Sequence, residues 1–252
     1  MIDALVLAGS SNSGALSECS SADYEAMIDI NGKLMVEYVI KALQDCKRIE
    51  RIVIVGPKTE LSEYFPPQGP VILVDQKGLL MENVLRGLKE LPGAQRVLLS
   101  TSDIPLITVQ GIDNFIDLCG DKQADMYYPV IAKESVEQKY SASNRTYVHL
   151  KEGVYTGGNI FLFNPQIVKE CLLKGQQLIE ARKSPIKLCL LVGMLFLIKF
   201  LTKRLSLQEA ERKVSQLLEI EGKVVISPYP ELGVDVDKPS DLALVAKQLD
   251  IA

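Results

Sequence analysis

The sequence predicts an α/β protein, a three-layer sandwich with a mostly parallel sheet between helices. Three observations lead there. Over the first half of the chain, short apolar runs alternate with helical patterns, which implies parallel strands joined by helices. Runs such as Val97-Leu98-Leu99 lack polar alternation and read as strands buried on both faces. After the helical pattern ending at Ile116 come strand-like runs with no helix between the first two, which adds an antiparallel extension and makes the sheet mixed.

The elements follow in order. Asp3 to Gly9 is the first strand, Ala4-Leu5-Val6-Leu7-Ala8 running into Gly9, and a loop of small and polar residues occupies Ser10 to Asp23. Asn31-Gly32 signals a turn. Met35, Val36, Val39, Ile40 and Leu43 recur at helical spacing, so Leu34 to Asp45 is an amphipathic helix. Arg51 to Gly56 and Val71 to Val74 are strands, and Leu80, Met81, Val84, Leu85 and Leu88 mark the next helix. The Val97 strand ends at Pro105, which cannot donate to a ladder. Thr108 caps a helix over Val109, Ile112, Phe115 and Ile116. Met126 to Ile131, Thr146 to Leu150 and Asn159 to Phe163 are the strands of the extension, with Lys151-Glu152-Gly153 as a turn. Asn164-Pro165 and Ser184-Pro185 each start a helix. Ser206 and Glu209 form a capping box heading another. Lys223 to Ile226 is a strand, and Pro239 opens the last helix. There is no internal repeat and no low-complexity linker, so residues 1–252 read as a single domain.

The bulk properties narrow the function. A chain of 252 residues, 47% hydrophobic and 24% charged, can bury a full core. Its formal net charge of −4 gives no footprint for nucleic acid, so an acidic substrate would need local donors or a metal. The five cysteines form no close pairs, which argues against a zinc knuckle or a disulfide framework and fits a reducing cytoplasm. The N-terminus runs straight into a strand with no charged leader pattern. The single histidine, His149, reads as a surface residue, and no nucleophile elbow accompanies it.

Three acids carry the chemistry. Asp103 stands just past the carboxyl end of a buried strand, where open α/β sheets bind ligands. Asp235 and Asp237 are two residues apart, so an extended backbone turns both carboxylates to one side. Magnesium takes one or two carboxylates together with substrate phosphates, and these acids would serve if they converge. Otherwise Asp103 only caps a turn and the other two are solvated turn acids.

The segments Leu7-Ala8-Gly9, Ile30 to Tyr38, Ser102-Asp103-Ile104-Pro105-Leu106 and Val234 to Leu242 together resemble the NTP transferase family. That family includes the MobA-like molybdenum-cofactor nucleotidylyltransferases and the sugar-phosphate nucleotidylyltransferases. The segments fall in the family's order and span nearly the whole chain. The resemblance implies a Rossmann-like fold of the nucleotide-diphospho-sugar transferase type. It implies magnesium on Asp103 and Asp237, the catalytic pair. It implies nucleotide binding by Leu7, Ala8, Gly9, Ser10, Ser11, Gly14 and Gly78. Gly157-Gly158-Asn159 resembles the segment lining the acceptor side in the sugar-phosphate branch. The implied partners are a nucleoside triphosphate and a small phosphorylated acceptor.

The first loop departs from the family's pattern. The usual second glycine is Ser10, no arginine or lysine occurs between Met1 and Ile30, and the family's lysine falls on Glu25. Losing both cations costs orders of magnitude in rate unless they are replaced. Lys33 and Lys77 are the candidates to replace them, or are plain surface lysines. Three functions stay open: a magnesium-dependent nucleotidylyltransferase, a non-catalytic nucleotide-binding module of the same fold, and a nucleotide-sugar glycosyltransferase using Asp235-Val236-Asp237. A helical insertion at 184–220 is set apart by Leu188 to Ile198, eleven residues without a charge. A bilayer span needs roughly twenty apolar residues, so this stretch does not cross a membrane. Either the sheet covers it, or it forms a homodimer face or a cover over the acceptor cleft.

Overall fold

The computed structural model describes residues 1–67, 69–120, 124–143, 145–168, 170, 171, 174, 176, 177 and 191–251. The expected helix start at Ser184-Pro185 and the residues 184–190 of the insertion lie outside the described residues.

The strands are β1 (Ile2–Leu7), β2 (Asp29–Ile30), β3 (Lys33–Leu34), β4 (Ile49–Gly56), β5 (Val71–Asp75), β6 (Val97–Thr101), β7 (Met126–Ala132), β8 (Val148–Leu150), β9 (Gly153–Gly157), β10 (Ile160–Phe163) and β11 (Gly222–Ser227). The helices are α1 (Met35–Asp45), α2 (Lys58–Leu61), α3 (Leu80–Lys89), α4 (Val109–Cys119), α5 (Lys133–Lys139), α6 (Met194–Leu201), α7 (Leu207–Leu218) and α8 (Pro239–Leu249). Among the described residues, nine strands form one mixed sheet, in the order β5-β4-β1-β6-β10-β7-β9-β8, with β11 on β7. The ladders β5-β4, β4-β1, β1-β6 and β7-β11 are parallel; β10 and β9 run antiparallel to their neighbours.

Strand β1 organises the core because its side chains alternate between two apolar layers. Ala4, Val6 and Ala8 join a cluster with Val39, Leu43, Ile112, Phe115 and Val245, so α1, α4 and α8 cover one face. Leu5 joins Val53, Val84 and Val168 on the other face, under α3. Each such fully buried aliphatic side chain contributes about 2 kcal/mol. The short β2–β3 hairpin turns on Asn31 (φ 54°) and Gly32 (φ 82°), two left-handed residues in succession, as a two-residue hairpin of this hand requires. Thr108 Oγ1 accepts the Gly111 N–H and caps α4, and the Ser206–Glu209 capping box opens α7.

Two expectations need correction. A helix, α5, stands between the first two strands of the extension. Its sequence, Lys-Glu-Ser-Val-Glu-Gln-Lys, buries only Val136 and so has no apolar stripe to read. The apolar stretch ending at Ile198 is not one helix in its described part either. Gly193 (φ 90°) interrupts it and stands as the N-cap of α6. Met194, Leu195, Ile198 and Leu201 of α6 are exposed, so the described part of the sheet does not cover that face. No helix of the described residues is long and apolar enough to cross a membrane.

Candidate active site

Chain order fixes where a ligand can enter. From β1 the chain adds β4 and β5 on one side, then crosses to place β6 on the other. The parallel strands β1 and β6 therefore flank a switch point, and ligands bind at such points beyond the carboxyl ends of the strands. The register pairs Leu7 with Thr101, so Ala8-Gly9-Ser10 and Ser102-Asp103 leave the sheet side by side.

The third arm of the site comes from the far end of the chain. The Asp103 carbonyl accepts the Val236 N–H at 2.9 Å, which draws residues 234–237 across the end of β6. Buried Glu231 anchors the same segment from below. Its Oε1 accepts the Thr108 hydroxyl and its Oε2 accepts Lys139 Nζ, each at 2.9 Å. One carboxylate thus ties the Pro230–Gly233 turn to α4 and to the end of α5.

Asp103, Asp235 and Asp237 meet there, each offering an oxygen within 4.8 Å of the others. Asp103 Oδ1 is buried without a hydrogen-bond partner. Burial pushes the Asp103 carboxyl up from its ordinary value and the charge of Asp237 adds to this, while the Thr101 side chain and, to a lesser extent, Arg145 oppose it. Glu25 belongs to the same field. Burial raises its carboxyl, and the charges of Asp103 and Asp237 raise it further. A cluster of hard carboxylate oxygens with an orphaned buried oxygen fits the donor set of magnesium.

The first loop is shaped by its own hydrogen bonds. Asn12 N–H donates to the Asp23 carbonyl at 2.8 Å, Glu25 N–H to the Ser10 carbonyl at 3.0 Å, and Asn12 Nδ2 to the Ser20 and Ala22 carbonyls. No hydrogen bond among the described residues takes up the N–H groups of Gly9, Ser10 and Ser11. Leu7, Gly9, Ser10 and Gly78 line one cavity of about 200 Å³ together with Val55, Gln76, Leu80 and Asn83. The Gln76 amide packs against Gly9, in the space that a Cβ at this position would take. Ser11 and Gly14 do not line this cavity, and both are exposed. A larger groove of about 1080 Å³ runs along the outer side of α3, past Leu85, Arg86, Lys89 and Pro92.

Gly157, Gly158 and Asn159 sit where β9 gives way to β10. Both strands pair with β7, and the two residues between them step the register. A side chain at 157 would overlap the Tyr128 hydroxyl, and one at 158 would meet Pro129. The Asn159 carbonyl accepts the Thr101 N–H at 3.1 Å, which holds this segment beside the end of β6, and its buried Nδ2 has no partner. Lys33 lies exposed over the Tyr38 ring, and Lys77 is exposed, its N–H donating to Asn83 Oδ1. The cation that acts on Asp103 is instead Arg145, paired with Asp235. Neither Arg145 nor Glu231 carries a local sequence signal, because their partners are distant in the chain.

Residues 4–183 match the family model of the MobA-like NTP transferase domain. The chain belongs to that family. A hypothetical transferase structure from Thermus thermophilus is 33% identical over 96% of this chain and 99% of that one, with a TM-score of 0.84. A nucleotidyl transferase from Methanothermobacter thermautotrophicus is 15% identical, covering 100% of this chain and 99% of that one, with a TM-score of 0.60. A 4-diphosphocytidyl-2C-methyl-D-erythritol synthase from Anaerococcus prevotii is 14% identical, covering 99% and 96%, with a TM-score of 0.58. These last two share the fold. No curated protein sequence matches the chain.

Proposed function

We propose that the chain is a magnesium-dependent nucleotidylyltransferase that moves a nucleoside monophosphate from a triphosphate to a phosphorylated acceptor. The observation that carries this reading is the meeting of Asp103 and Asp237 beside the Gly9 loop at the β1–β6 switch point. Membership of the MobA-like family supports it. The N–H groups of Gly9, Ser10 and Ser11 hold the phosphates, while Leu7 and Gly78 border the nucleoside. Gly157, Gly158 and Asn159 border the acceptor. An acceptor oxygen attacks the α-phosphorus in line, the bond from that phosphorus to the β-phosphate oxygen breaks, and pyrophosphate leaves. Asp103 and Asp237, with Asp235 beside them, would hold magnesium, which would supply positive charge to the triphosphate.

A second reading, a nucleotide-binding module without catalysis, is favoured by two observations: the loop carries no cation, and Glu25 lies in the field of the acids. Incubation with a panel of nucleoside triphosphates and phosphorylated acceptors separates the two. Pyrophosphate release that requires magnesium and an acceptor supports transfer. Triphosphate binding without release under every pairing supports the module.

A further inference from the structure

The acids of the site create a charge problem. Asp103, Asp235, Asp237 and Glu25 converge, while no lysine or arginine lies between Met1 and Ile30. A polyphosphate approaching this cleft is repelled unless a cation stands elsewhere, because phosphoryl transfer depends on electrostatic stabilisation.

Arg145 is that cation by position. It lies outside any helix or strand, in the connection from α5 to β8, and exposes only 11% of its side chain. One terminal nitrogen pairs with Asp235 Oδ1, another donates to the Asp235 carbonyl at 3.2 Å, and its Nε is buried without a hydrogen-bond partner. Its charge reaches Asp103 as well. A guanidinium offers five donors in a planar fork that suits phosphate as well as carboxylate. Asp235 is shared between two roles. It holds Arg145, and it is one of the three acids placed to hold a divalent cation. A metal ion on Asp235 would take up the negative charge that holds Arg145 and would repel the guanidinium, so the two cations compete for this carboxylate.

We propose that Arg145 is the phosphate-binding cation of this chain, latched on Asp235 until that carboxylate is taken up as a metal ligand. The proposal rests on the nucleotidylyltransferase reading above. In the latched state Arg145 neutralises Asp235 and prevents a buried, unpaired charge. With the charge of Asp235 taken up by a metal, Arg145 would be held less tightly and would offer its donors to the substrate phosphates. The order of binding follows: metal first, phosphate second.

Pyrophosphate is the probe, with binding to the full-length chain followed by calorimetry and thermal unfolding, with and without Mn²⁺. The wild-type protein is expected to bind pyrophosphate only with Mn²⁺. Asp235→Asn, which removes the latching charge with little change of shape, is expected to bind it without Mn²⁺, at least ~10-fold tighter than wild type in that condition. Arg145→Met is expected to keep Mn²⁺ binding and to lose ~10-fold or more in pyrophosphate affinity, with Arg145→Lys recovering part of it. Should Arg145→Met not fold, the Asp235→Asn arm decides alone. Pyrophosphate binding by Asp235→Asn that still needs Mn²⁺ overturns the latch, as does Arg145→Met binding pyrophosphate like wild type. A wild-type protein that binds Mn²⁺ but never pyrophosphate overturns the nucleotidylyltransferase reading and the latch with it.

Discussion

Two aspartate–arginine pairs lie at opposite ends of the sheet, and they differ in what they leave unsatisfied. At the start of β1, buried Asp3 receives Arg51 through two parallel hydrogen bonds, Nε to Oδ1 at 2.8 Å and Nη2 to Oδ2 at 2.6 Å. Both carboxylate oxygens are used. Beyond the other end, Asp235 receives Arg145, yet Arg145 Nε and the neighbouring Asp103 Oδ1 are buried without partners. Buried polar groups left unpaired cost stability, so they persist where function keeps them. The first pair holds the strands together. The second belongs to the acidic cluster at the β1–β6 switch point.

This contrast is broken or sharpened most strongly by Asp103→Asn. Mn²⁺ affinity measured by calorimetry is expected to fall by roughly 100-fold or more, since a charged ligand is replaced by a neutral one. The metal-free variant is expected to unfold at the same temperature as wild type or higher, because a carboxylate whose ionised form is disfavoured by burial is gone. A large loss of stability would place Asp103 with the structural pair instead. Arg51→Met should do the reverse. It leaves Asp3 buried and uncompensated, costing about 2 kcal/mol of stability after allowance for the partial exposure of Arg51, with Mn²⁺ affinity unchanged.

Glu25→Lys is a smaller change of the same kind. It turns repulsion toward the triphosphate into attraction, so affinity for a nucleoside triphosphate without metal should tighten by about tenfold, or roughly 1.4 kcal/mol. No change would mean that residue 25 does not face the phosphates. The effect of pH is smaller still. The carboxyls of Asp103 and Glu25 are raised, so in the folded protein they hold their protons to higher pH than in the unfolded chain. Their contribution to metal-free stability therefore grows as pH falls through that raised range, because ionisation costs the fold. Mn²⁺ affinity moves the other way and should drop several-fold between about pH 7 and about pH 5, as protons compete for the same oxygens. Titrations at the two pH values that superimpose would remove these carboxyls from the metal site.

The parallel half of the fold was largely legible because its strands carry apolar runs and α1, α3 and α4 each have an apolar stripe, whereas the short α2, which buries only Leu61, has none to read. Val97 to Thr108 gave the strand, its end, the acid and the helix cap from sequence alone. Asn31-Gly32 gave its turn for the same reason: the chemistry is local. The extension was less legible. Helix α5 buries one residue, and the break between β9 and β10 depends on how Gly157 and Gly158 meet Tyr128 and Pro129 across the sheet. In the site, Asp103 and Asp237 were readable as acids next to predicted elements. Arg145 and Glu231 were not, since Arg145 meets a residue 90 positions away and Glu231 one 123 positions away. The sequence pointed to Lys33 and Lys77 for the missing charge, and the fold brings Arg145 to the acids instead.

The central claim is that the acidic cluster and the first loop form one metal and triphosphate site. Crystals grown with Mn²⁺ and a non-hydrolysable nucleoside triphosphate test it most directly, through the anomalous signal of the metal. A manganese peak is expected between Asp103, Asp235 and Asp237, with the phosphates lying over Gly9 to Ser11. A peak away from those acids, or a triphosphate seated in the groove beside Arg86 and Lys89, would contradict it.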